Sequence, residues 1–202
     1  MLKTKNLSKT FPNNTIIYPD ITAKNGDFIL LTGKTGCGKT TFCEIIAKFL
    51  PYENGTICLN DCNIKYQNVF ETIHYLSQFP ENNLIGPTCS DELEIWLKYN
   101  PPAQKESINN ILTRFNLENH LNTPIWQLSY GQKKLLAFLA ISIIQRKLWL
   151  LDEPFAGLDS EQTQRISDLM KDFIENKGII IATSHTLKGV EGFEKKIVKI
   201  LL

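Results

Sequence analysis

The chain carries Gly33-Lys34-Thr35-Gly36-Cys37-Gly38-Lys39-Thr40, which fits G-x-x-x-x-G-K-[ST]. The run before it, FILLT at 28–32, is apolar throughout and reads as a buried strand. The segment after it, 39–50, has apolar residues at Phe42, Ile45, Ile46 and Phe49, which is helical spacing closed by Pro51. A strand that turns through glycines into a helix is the setting this pattern requires. The glycines let the backbone curl until its N–H groups face inward as an anion nest. The helix N-terminus adds partial positive charge, and Lys39 adds a full one. Thr40 offers a hydroxyl for a Mg²⁺ ion, and Thr41 one for an α phosphate. A chance glycine-rich turn of this pattern somewhere in the chain is on the order of a 1% event.

The rest of the chain repeats the alternation. Strands are expected at 56–59, 72–76, 148–151, 179–183 and 196–202, and helices at 129–146 and 161–176. The 80–123 stretch, broken by Pro87, Pro101 and Pro102 and marked by Ile108, Ile111, Leu112 and Phe115, reads as mostly helical and inserted. Buried strands alternating with helices imply a parallel sheet covered on both faces.

Length and charge narrow the class. The 202 residues suit one domain with a small inserted lobe, and 43% hydrophobic residues suffice for a core. A net charge of +1 gives no electrostatic case for nucleic acid or an anionic membrane. The five cysteines (37, 43, 58, 62, 89) form no C-x-x-C pair, so reduced thiols are expected rather than zinc or disulfides. No apolar signal segment opens MLKTKNLSKT, and the most apolar run, 135–144, is too short to span a bilayer. Only 17 residues follow His185, so no C-terminal regulatory domain is expected.

A second acidic half completes the site. Leu148-Trp149-Leu150-Leu151-Asp152-Glu153 is an apolar strand ending in two carboxylates. A parallel strand delivers its C-terminal end to the ligand side of the sheet. Asp152 is placed to hold Mg²⁺, and Glu153 to orient or deprotonate an attacking water. An acidic turn after a core strand is the plainer alternative.

At this point the sequence resembles the ABC-type ATPases. Leu128-Ser129-Tyr130-Gly131-Gln132 is similar to their LSGGQ signature, Ala156-Gly157-Leu158-Asp159 to their D-loop, Ser184-His185 to their switch histidine and Gln78 to their Q-loop glutamine. The ordered set spans nearly the whole chain. The resemblance implies the P-loop NTPase ABC-ATPase fold: α/β, with a mostly parallel sheet core flanked by helices, an N-terminal antiparallel β part and an inserted helical subdomain. The whole of 1–202 would be one ATP-binding domain, with the subdomain at 80–128.

The resemblance also implies the roles. Two such domains face each other head to tail, homodimer or heterodimer, each ATP lying between one phosphate loop and the other subunit's signature. Ser129, Gly131 and Gln132 would grip the γ phosphate across the interface. His185 would contact that phosphate, Gln78 would sense Mg²⁺ and water, and Asp159 would tie the two sites together. Phe11 is the candidate to stack on adenine; an ordinary strand aromatic is the competing reading, and Tyr18 is a second aromatic nearby. Tyr130 departs from the usual glycine and could crowd the partner; Phe155 replaces the usual Thr or Ser and is assigned to packing. Cys37 reads as a filler within the loop, and His74 and His120 as surface or structural residues.

The stretch Gln78-Phe79-Pro80-Glu81-Asn82-Asn83-Leu84, followed by Ser90-Asp91-Glu92-Leu93, resembles energy-coupling-factor ATPases of cobalt, nickel and vitamin importers, with Asn83 and Cys89 as departures. There, this segment receives arginine-bearing helices of a transmembrane coupling subunit, and Asp91, Glu92 and Glu94 would suit such arginines. A solvated acidic helix N-terminus is the competing reading. The implied protein is peripheral, at the cytoplasmic face of the cell membrane, and reaches the membrane only through its partner. Chromosome-structure ATPases of the same head fold carry a long coiled coil between loop and signature; here about 90 residues separate them, without heptads. Translation-associated members need two such domains in a chain, and a purely regulatory binder would not need Glu153 and His185.

Overall fold

A computed structural model describes residues 1–60, 62–63, 69–99, 108–144, 146–186 and 188–199. These fall into two compact units. One comprises the described parts of Met1–Tyr75, Arg146–Pro154 and Met170–Leu202, the other those of Leu76–Gln145 and Phe155–Leu169.

The first unit is built on two sheets. β1 (Leu2–Phe11), β2 (Asn14–Ile17), β3 (Ile21–Ala23), β5 (Asn54–Leu59) and β6 (Cys62–Asn63) form an antiparallel sheet in which β1 pairs with β2, β3 and β5. The second sheet runs β10 (Lys195–Lys199), β4 (Phe28–Thr32), β9 (Ile179–Thr183), β8 (Leu148–Asp152), β7 (Ile73–Leu76). The β10–β4, β4–β9 and β9–β8 pairs are parallel. Both the mostly parallel sheet and the antiparallel N-terminal part expected from the sequence are therefore present.

The three central strands are buried almost end to end, as apolar runs without polar alternation require. Their side chains still divide by face. Ile29, Leu31, Leu148, Leu150, Ile179 and Ile181 join one core with Leu2, Leu7, Ile57 of the antiparallel sheet and Phe42, Ile45 and Ile46 of α1 (Lys39–Ile46). On the opposite face, Trp149 stacks on Phe173 with ring centroids 4.0 Å apart, and Phe28 meets Phe193 at 5.0 Å. Phe173 belongs to α6 (Ser160–Glu175), which is covered here from its C-terminal half. Each fully buried Leu, Ile or Phe contributes about 1.5–3 kcal/mol.

α1 is shorter than its apolar spacing predicts. It ends at Ile46 rather than at Pro51, because Lys48 adopts φ 63°. The Lys48 N–H then donates to the Ile45 carbonyl and the Phe49 N–H to the Glu44 carbonyl, which satisfies the last turn. The strand expected at 196–202 is observed as β10; residues 200–202 lie outside the described residues.

The second unit holds α3 (Cys89–Tyr99), α4 (Ile108–Thr113), α5 (Tyr130–Ile143), the first part of α6, and 3₁₀ turns at Pro80–Asn82, Glu118–His120 and Ile125–Gln127; the short α2 (Val69–Thr72) belongs to the first. α5 packs against α3 and against the turn at Pro80–Asn82. Its residues from Lys134 to Ile141 are all buried, as a helix apolar on every side must be. No helix among the described residues is long and apolar enough to cross a membrane.

Candidate functional site

The loop between β4 and α1 is shaped by two glycines. Gly36 and Gly38 adopt φ 82° and 95°, a region that L side chains rarely enter. At Gly38 space is also closed: a Cβ would lie 2.8 Å from Ile16 Cδ1 and 3.0 Å from the Tyr18 hydroxyl. Gly38 is the N-cap of α1 and contributes no side-chain cap, so the first N–H groups of the helix remain available to an anion. Lys39 is buried, and its Nζ donates to the carbonyls of Gly33, at 3.0 Å, and Lys34, at 3.2 Å. The ammonium is thus held over the loop that begins at Gly33. Cys37 is buried and packs in the core, away from solvent.

The parallel register sets the carboxylates against this loop. Asp152 ends β8 opposite Thr183, the last residue of β9. Its Oδ1 accepts from the Thr183 hydroxyl at 2.6 Å and its Oδ2 from the Thr40 hydroxyl at 2.7 Å. Asp152 is 2% exposed, so both bonds lie in a poorly solvated place where they are strong. A hydroxyl and a carboxylate side by side are hard oxygen donors, and they suit Mg²⁺. No group of three or more Cys, His, Asp or Glu that could hold a metal unaided occurs among the described residues. A site with one carboxylate and one hydroxyl fits a metal that takes its remaining oxygens from phosphate and water.

Glu153 follows in a left-handed conformation, φ 46°. Its N–H donates to the Thr183 hydroxyl at 3.0 Å, so this one hydroxyl serves both acidic residues. The Glu153 Oε1 lies 3.4 Å from Nε2 of His185. Burial pushes the Glu153 carboxyl above its ordinary range; the neighbouring His185 draws it back and Asp152 adds to the rise. A carboxylate with raised basicity beside an imidazole is equipped to orient and deprotonate water. Thr183 was not singled out by the sequence. Only its position at the end of the apolar run IIIAT, next to Ser184 and His185, hinted at it.

The second unit assembles the other motif residues. Ser129 caps α5: its Oγ accepts from the Gln132 N–H at 3.2 Å, and the Gln132 Oε1 accepts from the Ser129 N–H at 2.9 Å. This reciprocal box leaves the Ser129 O–H free to donate outward. His120 supports it, since the Gln132 amide nitrogen lies 2.9 Å from His120 Nε2. With Gln132 donating, that ring nitrogen is the acceptor. His120 is therefore a structural residue, the second of its two expected readings. Gly131 is buried against Gln162, where a Cβ would come within 2.5 Å of its side-chain oxygen. Asp159 and Gln162 form a second box at the start of α6, the Asp159 Oδ1 accepting from the Gln162 N–H at 2.8 Å and the Gln162 Oε1 from the Asp159 N–H at 3.3 Å. Gln78 is exposed, and its carbonyl accepts from the Tyr130 hydroxyl at 2.8 Å.

Two expectations change, those for Tyr18 and Glu92. Tyr18 is 2% exposed and lies against Phe42 with ring centroids 5.1 Å apart, so it is a core residue and no competitor for a base. Phe11 ends β1 partly exposed, with Lys9 Nζ 5.9 Å from its ring centroid. Glu92 is fully buried and not available to arginines. Its carboxylate accepts from the Ile85 and Gly86 N–H groups at 2.7 and 2.6 Å and from the Trp96 indole at 2.7 Å. His74, lastly, is buried in β7, which is the structural one of its two expected readings.

Residues 19–156, about two thirds of the chain, match the ABC transporter family. The chain belongs to that family. The ABC chain is 30% identical over 174 residues to the cytochrome c biogenesis ATP-binding export protein CcmA of Mesorhizobium japonicum, 85% of each being covered. Its structure resembles that of cbiO1 from Clostridium perfringens, described as part of the ABC transporter complex cbiONQ. The identity is 26% and the TM-score 0.73, with 92% of this chain and 78% of that one covered. It also shares its fold with the ATP-binding cassette MJ0796, solved as a dimer in a post-hydrolysis state bound to ADP and Pi. There the identity is 22% and the TM-score 0.83, over 99% and 94% of the two chains. The chain is thus an ABC-type ATPase, an ATP-hydrolysing subunit of a transporter.

Proposed function

We propose that this ATPase pairs head to tail with a second ATPase subunit and powers an importer of the energy-coupling-factor type for a metal ion or vitamin. The observation that carries the hydrolytic part is the Thr40–Asp152–Thr183 bridge with Glu153 and His185 beside it. In this reading ATP enters with its phosphates on the 33–40 loop. Lys39 leaves its loop carbonyls for the β and γ phosphates, Thr41 meets the α phosphate, and Phe11 stacks on the base. Thr40, Asp152 and Gln78 would hold Mg²⁺, which neutralises phosphate charge when bound. Glu153 takes a proton from the attacking water while His185 contacts the γ phosphate. Ser129, through its free O–H, together with Gly131 and Gln132 closes the site of the opposite subunit, and Asp159 links the two. The 1–202 chain acts as one ATP-binding domain, its 80–128 stretch serving as the helical subdomain.

The importer assignment draws on the 78–94 stretch and on the likeness to cbiO1. Asn83, a departure from that pattern, shapes the segment around Gln78, since its Oδ1 accepts from the N–H and hydroxyl of Ser77. With Glu92 internal, Asp91 and Glu94 are the carboxylates left to meet a coupling subunit. The subunit would then sit at the cytoplasmic face of the membrane through that partner. A second reading, an export ATPase, is favoured by the name of the curated relative CcmA.

Glu153→Gln tests the chemistry. It should reduce ATP turnover at least 100-fold and leave ATP-induced dimers intact, and normal turnover would sink the function given to Glu153. Co-purification with the membrane partner in detergent separates the two transport readings. A small substrate-binding membrane protein plus one coupling protein supports the importer, and a conventional permease pair supports the alternative.

A further inference from the structure

We infer that Tyr130, the residue that departs from the glycine of the signature, positions Gln78 for hydrolysis. The phenol joins three segments of the second unit. Its hydroxyl donates to the Gln78 carbonyl at 2.8 Å. The Lys134 ammonium, one turn along α5, donates to the same hydroxyl and to the Ala156 carbonyl, at 3.4 Å each. That ammonium also lies 5.3 Å from the Tyr130 ring centroid, within cation–π range. The ring itself fills the space over Gly157. A Cβ on Gly157 would lie 2.8 Å from ring Cε1 and 2.9 Å from Cδ1. Glycine at 130 could make none of these contacts.

The direction of the hydroxyl bond matters. Gln78 offers a carbonyl, so the phenol must keep its proton, and burial together with the Glu81 charge pushes its pKa up. Lys134 is fully buried and takes the phenol oxygen as one of its partners. A charged donor on one side of the oxygen strengthens the bond that oxygen makes through its proton on the other. The Gln78 main chain is thereby pinned to the start of α5 and, through Lys134, to the segment of Ala156 and Gly157. The exposed Gln78 side chain swings from a fixed origin instead of a free loop. The inference rests on the reading that Gln78 acts on Mg²⁺ and water during hydrolysis; the phenol touches neither and acts through Gln78.

The test is a double-mutant cycle on steady-state ATP hydrolysis by the full chain, using Tyr130→Phe and Gln78→Ala. Tyr130→Phe keeps the ring over Gly157 and removes only the hydroxyl bonds. It should lower kcat about 5-fold and leave KM for ATP within about 2-fold, since the phosphate loop is untouched. In the Gln78→Ala background the same substitution should cost nothing further. Tyr130→Gly should show the same kcat loss with a lower melting temperature. A raised KM at unchanged kcat, an unchanged kcat, or additive losses in the double variant would each overturn the inference while leaving the function of Gln78 standing. A normal kcat in Gln78→Ala alone would remove that function, and the inference with it.

Discussion

Glu153 holds two unfavourable conditions at once. A left-handed backbone costs a residue with a side chain about 1–2 kcal/mol, and its carboxylate is largely withdrawn from water. The Thr183 hydroxyl, donated to Asp152 and accepting from the Glu153 N–H, keeps the turn in place. Because burial raises the Glu153 carboxyl in the folded state, folding favours its protonated form. Its contribution to stability is therefore full below the ordinary carboxylate pKa, 4.5, and is lost as pH rises through the raised value. Glu153→Gln should accordingly melt higher than the parent at pH 7, with the gap closing as pH falls toward 4.5; thermal melts across that range measure it, and a parent that is the more stable at pH 7 would contradict it. Lys39, Thr40, Asp152, Glu153 and His185 were legible in the sequence because their motifs carry their own strand and helix context. Thr183, His120 and Gln162 were not, because each acts through a neighbour brought in by tertiary structure, and nothing in their local sequence names that neighbour.

Elements were legible where periodicity is long and unbroken. The apolar runs mark β4, β8 and β9 to within a residue of their limits, while the spacing that runs on to Pro51 overextends α1, because the turn at Lys48 leaves no sequence signal of its own. The start of α3 shows the same limit. Its acidic residues suggested a solvent-facing surface, yet Glu92 turns inward to organise the loop before the helix. Gly86 lies so close that a Cβ there would fall 2.4 Å from the Glu92 nitrogen and 2.7 Å from its Cα. Glu92→Ala would leave two backbone N–H groups and the Trp96 indole without their acceptor. The loss should be on the order of 3 kcal/mol or more by denaturant unfolding, with Glu92→Gln milder because it keeps one oxygen. A loss near zero for Glu92→Ala would return Glu92 to the surface.

At the scale of the whole molecule, the alternation of buried strands and helices announced a parallel sheet, and the shared motifs named its family. Strand order was not legible: β7, β8 and β9 follow one another across the sheet as in the chain, but β4, the first of these strands in sequence, lies between the last two, β9 and β10. Those placements depend on crossovers between segments far apart in sequence. The same register that brings Asp152 level with Thr183 also brings Leu151 level with Ala182 and Leu150 level with Ile181. Since side chains alternate along a strand, a slip of one residue would turn Asp152 away from Thr183 and expose the apolar set of one face to the other. A nucleotide held through Asp152 would bind the in-register chain in preference to a slipped one, and would so act as an inspector of its own enzyme. In a newly made population it would draw the well-assembled molecules out of the pool still open to rearrangement and degradation.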